Sequence, residues 1–180
     1  MKKGLIVVIA IVAVIAILGG SLVSSYNGLV DKQANVENAD AQIQVQLQRR
    51  ADLIPNLVNT VKAYATHEED VYTALADARA KLNSASNPEE YQDATGSFDS
   101  ALSRLLVVVE NYPELKADKN FIALQDELAG TENRLSTARK DYNDVATDYN
   151  ATIKKFPNVI FAGMFDFEKV DLFEASTESQ

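Results

Sequence analysis

Apolar and polar residues alternate along this chain in two distinct rhythms. From Leu5 to Leu18 no polar residue interrupts the run, and Gly19, Gly20, Ser21, Leu22 and Val23 extend it without a charge. Gly4 to Val23 is roughly 20 residues, or about 30 Å as a helix, which matches the hydrocarbon core of a bilayer. A cleavable signal peptide and a retained single-pass anchor both fit such a segment; its length favours the anchor. Beyond it the rhythm becomes helical. Leu29, Val36, Ala39, Ile43, Leu47 and Ile54 recur at threes, fours and sevens and predict a helix over 26–54. No Gly or Pro follows Gly28 in that stretch, so the membrane helix is expected to continue into it. Pro55 removes a backbone donor and disfavours helix at Ile54, which predicts a kink or a turn there.

Three more stripes follow. Leu57, Val58, Val61, Ala65, Tyr72, Leu75, Ala76, Ala78 and Leu82 predict a helix running to the loop Asn83–Pro88. Asn87 is a natural cap, with Pro88 in first position and Glu89 and Glu90 in the first turn. Tyr91, Thr95, Phe98, Leu102, Leu105, Val109 and Tyr112 form the third stripe, and Pro113 stops it. The fourth is Phe121, Leu124, Leu128, Leu135, Ala138, Tyr142, Val145, Tyr149, Ile153 and Phe156, ended by Pro157. Stripes this long with short connectors predict an all-α chain, an N-terminal transmembrane helix followed by an antiparallel up-and-down four-helix bundle with long helices. The divisions are 1–25 for the anchor, 26–157 for the bundle and 158–180 for a tail. That tail is rich in aromatics (Phe161, Phe165, Phe167, Phe173) and, from Glu174 on, is expected to be disordered. A short repeat, Asp141-Tyr142-Asn143 and Asp148-Tyr149-Asn150, is seven residues apart. That spacing sets both tyrosines on one helix face, as a seam in the core.

Charge narrows the partners. The net charge is −9, with Lys2 and Lys3 before the apolar run and every acid after it. Without those two lysines the body keeps 15 basic and 26 acidic residues, a charge of −11. Phosphate backbones and anionic lipid headgroups would repel such a body, so nucleic-acid binding is not expected. Lys2 and Lys3 outweigh Lys32 beside the span, which favours a cytoplasmic N-terminus and an extracytoplasmic body. There is no Cys, which excludes disulfides and thiolate metal sites.

The residue types that carry catalysis are scarce. His67 is the lone histidine, and His67-Glu68-Glu69 lacks the second histidine of a zinc-protease motif because position 71 is Val. Glu68, Glu69 and Asp70 are consecutive and would fan out around a helix. No Gly-rich phosphate loop and no nucleophile–base pairing beyond His67 is present. No catalytic residue, cofactor or metal is therefore expected, and the chain does not read as an enzyme.

Several ordered motifs carry a family resemblance. They are Gln48-Arg49-Arg50-Ala51-Asp52-Leu53-Ile54-Pro55-Asn56-Leu57-Val58, Glu110-Asn111-Tyr112-Pro113-Glu114-Leu115-Lys116-Ala117 and Leu124-Gln125-Asp126-Glu127-Leu128-Ala129-Gly130-Thr131-Glu132-Asn133-Arg134. Arg139, Tyr142-Asn143, Tyr149-Asn150 and Phe156-Pro157-Asn158 follow in order. Together they resemble the LemA family of bacterial membrane-anchored proteins over nearly the whole chain. The resemblance implies a helical bundle behind one membrane helix, residence in the bacterial inner membrane and no established enzymatic activity. It departs at Gln44, where many members have Asp, and at Asp166, where many have Gly; the second puts a charge into the aromatic tail. The conspicuous polar residues of these motifs are Arg49, Arg50, Asp52, Glu132, Asn133, Arg134 and Arg139. With Pro55 they are expected to form a structural corner and register lock, in which Arg50 or Arg49 pairs with Glu132. Solvated surface charges of little energetic weight are the competing account.

The functional expectation is a membrane-tethered scaffold or interaction protein with protein partners, capable of self-association. The alternative is a sensory or adaptor subunit working through a membrane partner such as a protease or transducer.

Overall fold

The computed structural model describes residues 2–174, and the described residues contain helices and no strand. Six helices follow one another: α1 (Lys2–Lys62), α2 (Glu69–Ser84), α3 (Pro88–Val109), α4 (Pro113–Lys116), α5 (Lys119–Thr152) and α6 (Asn158–Met164). The chain divides into two compact units. One joins Met1–Asn38 to Asp144–Asp171, and the other joins Ala39–Asn143 to Leu172–Gln180.

The seam read from α1 is the buried face of that helix. Leu29, Val36, Ile43, Leu47, Ala51, Ile54, Leu57 and Val61 are all buried. Its first part behaves oppositely. The described large apolar side chains from Leu5 to Ile17 are exposed, and this stretch averages a hydropathy of 3.0 and is long and apolar enough to cross a membrane.

The expected corner at Pro55 is not there. Pro55 lies inside α1, and the helix continues to Lys62 before turning over residues 63–68. The physical reason is visible one turn earlier. Proline cannot donate to the carbonyl four residues back, which is that of Ala51. Arg79 on α2 supplies the missing donor, its Nε lying 3.2 Å from the Ala51 oxygen. A neighbouring side chain thus restores the bond that the proline removes, and the helix persists. The real turn is closed by backbone bonds from Tyr64 (3.0 Å) and Ala65 (2.9 Å) to the Val61 carbonyl, and by the Tyr72 hydroxyl donating to the Ala65 carbonyl. One predicted long helix is therefore short: α2 has 16 residues.

The α3 start follows the sequence closely. Asn87 accepts from the Glu90 amide at 3.0 Å, and Glu90 accepts from the Ser86 amide at 2.8 Å, with Pro88 in the first position. Before α5, Asp118 accepts from the amides of Asn120 (2.8 Å) and Phe121 (3.0 Å) and from the Tyr64 hydroxyl (3.0 Å). Those donors hold its carboxyl below the usual carboxylate range. In the unit built from Ala39–Asn143, segments of α1, α2, α3 and α5 share one core. It is filled by Leu47, Leu57, Leu75, Phe98, Leu105 and Leu135, all buried.

Candidate functional site: a buried charge cluster and a clamped tail

Within that core the helices close on a group of charges. Arg50 comes from the α1 seam and is 2% exposed. Its Nη2 donates to Asp99 on α3 at 2.8 Å, and its Nη1 lies 2.6 Å from Glu132 on α5. The guanidinium also sits over the Phe98 ring, 4.5 Å from the centroid. Arg139, two turns beyond Glu132 on the same face of α5, donates to the Thr95 hydroxyl at 2.8 Å. Thr95 in turn donates to the Tyr91 carbonyl at 2.7 Å. Burial lowers the Arg139 pKa, and Arg50 adds to that effect, while Glu132 and Asp99 oppose it. Two cations and two anions share the cluster, so it is neutral as a whole. Arginine suits this place because its fork can reach two carboxylates at once.

The remaining expected positions lie around this centre. Arg49 pairs with Glu127 on the surface, and Arg134 approaches the same carboxylate at 3.4 Å. Asp52 is exposed and accepts from Gln48 one turn back at 2.8 Å. Asn133 and Arg134 are exposed and help line a surface groove of about 360 Å³ between α1 and α5. Gln42 and Gln46 form its other side, and the Gln46 Oε1 is buried without a hydrogen-bond partner. Arg50, Glu132 and Arg139 are thus brought together; Arg49 and Arg134 meet each other through Glu127; Asp52, Pro55 and Asn133 stand outside both groups.

The second half of the site concerns the tail. Asn143 grips the backbone of Phe173 at two points, its Nδ2 donating to the carbonyl and its Oδ1 accepting from the amide, both at 2.9 Å. In the other unit Asn150 does the same to Val170, at 2.8 and 2.9 Å. Each amide side chain thereby stands in for a neighbouring strand. Phe173 is buried, edge-on to Tyr142 at 5.3 Å and stacked with Tyr91 at 6.1 Å, with Arg139 over its face at 5.5 Å. The Tyr91 hydroxyl meets Asp40 (3.2 Å) and Gln44 (3.0 Å). Burial pushes its pKa up to about 12, and the Asp40 charge adds to the rise.

Asp166, the departure noted in the tail, has a φ of 55°, in the left-handed region that favours glycine. It closes α6. The Phe165 amide bonds to the Phe161 carbonyl at 2.9 Å, and the Phe167 amide reaches back to that of Ala162 at 3.0 Å. The second is the 6→1 bond of a Schellman-type ending, with Asp166 in the left-handed position. The side chain points outward and is exposed, so the charge is not buried with the aromatics. The expected disordered end lies, beyond Glu174, outside the described residues.

Several functional-looking residues escaped the sequence reading. Asn143 and Asn150 lay inside a repeat interpreted through its tyrosines alone. Asp99 and Arg79 are ordinary helix residues in sequence, and only packing assigns them partners. Thr95 did carry a signal, as a polar residue on an apolar stripe. No cluster of His, Cys, Asp or Glu able to hold a metal ion occurs among the described residues. His67 is exposed in the α1–α2 turn rather than on a helix.

The model of the LemA family matches residues 39–180, most of the chain and all of the elements that form the cluster and the tail clamps. The chain belongs to the LemA family. Among its relatives, Magnetosome protein MamQ 2 of Paramagnetospirillum magneticum is 26% identical, over 94% of this chain and 71% of its own length. Protein LemA of Metamycoplasma hominis is 27% identical over 83% of this chain and 69% of its own. Magnetosome protein MamQ of Magnetospirillum gryphiswaldense is 24% identical over 94% and 71%. None of these is an enzyme name. Within the LemA frame the motif residues acquire a common theme: Arg50, Glu132, Arg139, Asn143 and Asn150 are directed at other parts of the same chain.

Proposed function

We propose that this LemA protein is a non-enzymatic scaffold, held at the bacterial inner membrane by the apolar part of α1, that presents an acidic helical body to protein partners. The supporting observation is where the motif polar groups point. Arg50, Glu132 and Arg139 are engaged with one another and with Asp99 and Thr95, and Asn143 and Asn150 are engaged with tail backbone. Such groups hold a shape; a catalytic site would aim them into a cavity. The partner surface we favour is the groove between α1 and α5, where the buried Gln46 oxygen leaves an acceptor that a docking chain can satisfy. Self-association through α1 is the other use of this design. Lys2 and Lys3 at the start of the span favour a body on the extracytoplasmic side.

Protease accessibility in intact spheroplasts, followed by alkaline washing of the membranes, tests the tether and its orientation. The body should be cut from outside, and the uncut chain should stay with the lipid after the wash. A protein released by the wash, or one cut only after lysis, contradicts the proposed placement.

A further inference from the structure

Helix α6 buries one apolar face and leaves another uncovered. Phe161 and Ala162 are buried within their unit, and Tyr26 of α1 packs against Phe165 (4.9 Å) and Phe167 (5.8 Å). Around the helix from them, Val159, Ile160 and Met164 are 47%, 50% and 67% exposed, and Phe156, in the turn just before the helix, is 81% exposed. The fourth sequence stripe ends on Phe156 and assigns it to the core, yet it is the most exposed large apolar residue of the body. Such a cluster, on and beside a short, uncharged helix, is too concentrated for scattered surface apolar residues.

Its location says what covers it. The candidate membrane span ends near Val23. Tyr26 lies three residues further along the same helix, about 4.5 Å of rise, which is headgroup depth for a bilayer. Tyrosine is favoured at that level. Because α6 rests on Tyr26, it sits at the same level. Between them is an apolar void of about 310 Å³ lined by Leu22, Val23, Tyr26, Phe161, Met164 and Phe165, continuous with the exposed surface of the span. Lys154 and Lys155, both exposed, immediately precede Phe156 in a body that is otherwise strongly acidic. A basic pair beside an apolar cluster matches an anionic headgroup above an acyl chain.

We propose that α6 is a second membrane contact: it lies in the interface of the leaflet from which the body emerges, with Phe156, Val159, Ile160 and Met164 in the upper acyl region and Lys154 and Lys155 among the lipid phosphates. This rests on the anchoring role of α1. The helix then acts as a foot that fixes how the first unit stands on the bilayer, beyond the tether that a single span supplies.

The chain contains no Trp, so one introduced Trp reports without background. The full-length protein carrying Ile160→Trp or, independently, Met164→Trp is placed in nanodiscs of phosphatidylethanolamine and phosphatidylglycerol brominated, in separate preparations, near the headgroup end of the chain and near its methyl end. Val12→Trp in the span and Val107→Trp, at an exposed position on α3, are the references. We expect blue-shifted emission at both α6 positions and on the order of a twofold bromine-dependent loss of intensity, as for an interfacial helix, with no loss at Val107→Trp. Water-like emission without quenching at both α6 positions, with Val12→Trp quenched, overturns the foot and leaves the anchor standing. Blue-shifted but unquenched emission overturns it in favour of a protein cover, such as a second copy. Absence of quenching at Val12→Trp removes the anchor itself, and the foot with it.

Discussion

Arg50 places a guanidinium where the core of the second unit would otherwise be apolar, and it is held there by two half-exposed carboxylates. Truncating it leaves Asp99 and Glu132 without their cation and opens a space over Phe98. Because both acids retain water, the cost should lie below that of a fully buried pair, about 2 kcal/mol for Arg50→Met. Arg50→Lys should recover only part of it, since a point charge cannot reach two carboxylates as the fork does. Urea unfolding of the detergent-solubilised protein measures both variants. Asp166 provides the opposite case. A left-handed helix ending prefers glycine, so Asp166→Gly should stabilise by about 0.5–1 kcal/mol, and Asp166→Val should destabilise. The same titration reads the direction of each. That resemblance to a family with glycine here was legible in the sequence; that the reason is a backbone angle was not, because φ leaves no trace in composition.

Elements owe their limits to bonds between segments as much as to local preference. Pro55 illustrates this. Its sequence signal for a break is genuine, and the break is cancelled by Arg79, whose pairing with the Ala51 carbonyl depends on α2 lying alongside. Arg79→Ala should therefore cost about 1 kcal/mol in the native chain, from an unsatisfied carbonyl. In a Pro55→Ala background the helix supplies its own donor, and the same change should cost close to nothing. A double-mutant cycle of unfolding free energies gives that coupling directly. The stripes follow the periodicity, since Leu29 to Val61, Tyr91 to Val109 and Phe121 to Ile153 do face inward. Periodicity reports which face is buried, whatever buries it. It could not say that Asn143 and Asn150 clamp the tail, because a bidentate amide needs a partner from outside the helix. Seven helical residues rise about 10.5 Å, and three extended residues span about 10 Å. A repeat of seven in α5 can thus match a repeat of three in the tail. Asn143→Ala should expose the Phe173 amide to hydrogen exchange, and Asn150→Ala should do so for Val170.

At the level of the whole molecule, pH should bound stability on both sides. Glu90, Asp118 and Asp148 are held below their ordinary values, by Ser86, by the Phe121 amide and by Lys32 respectively. A carboxyl depressed in the folded state lends stability above its unfolded pKa and loses it as pH falls through the folded one. Thermal midpoints by circular dichroism should therefore decline as pH drops below about 4, and Asp118→Asn should flatten that decline. Tyr64, Tyr72, Tyr91 and Tyr149 are raised, the first chiefly by its hydrogen bond to Asp118 and the others chiefly by burial. Their contribution is complete below about 10 and is lost as pH climbs toward the folded values. The span and the bundle-forming stripes were plain from sequence because lipid and core both select apolar residues. The exposed cluster on α6 was not, because apolar periodicity looks the same whether protein or lipid covers it.

If the body of this LemA protein binds other proteins at a membrane, as we propose, in-membrane photo-crosslinking should capture them. A photo-reactive residue replaces Gln42 in the groove or Val107 outside it, in the full-length chain expressed in its native membrane. Discrete adducts are expected from position 42, lost on competition with the unlabelled protein, and none from position 107. No adduct from position 42, or the same diffuse pattern from both, would contradict that proposal.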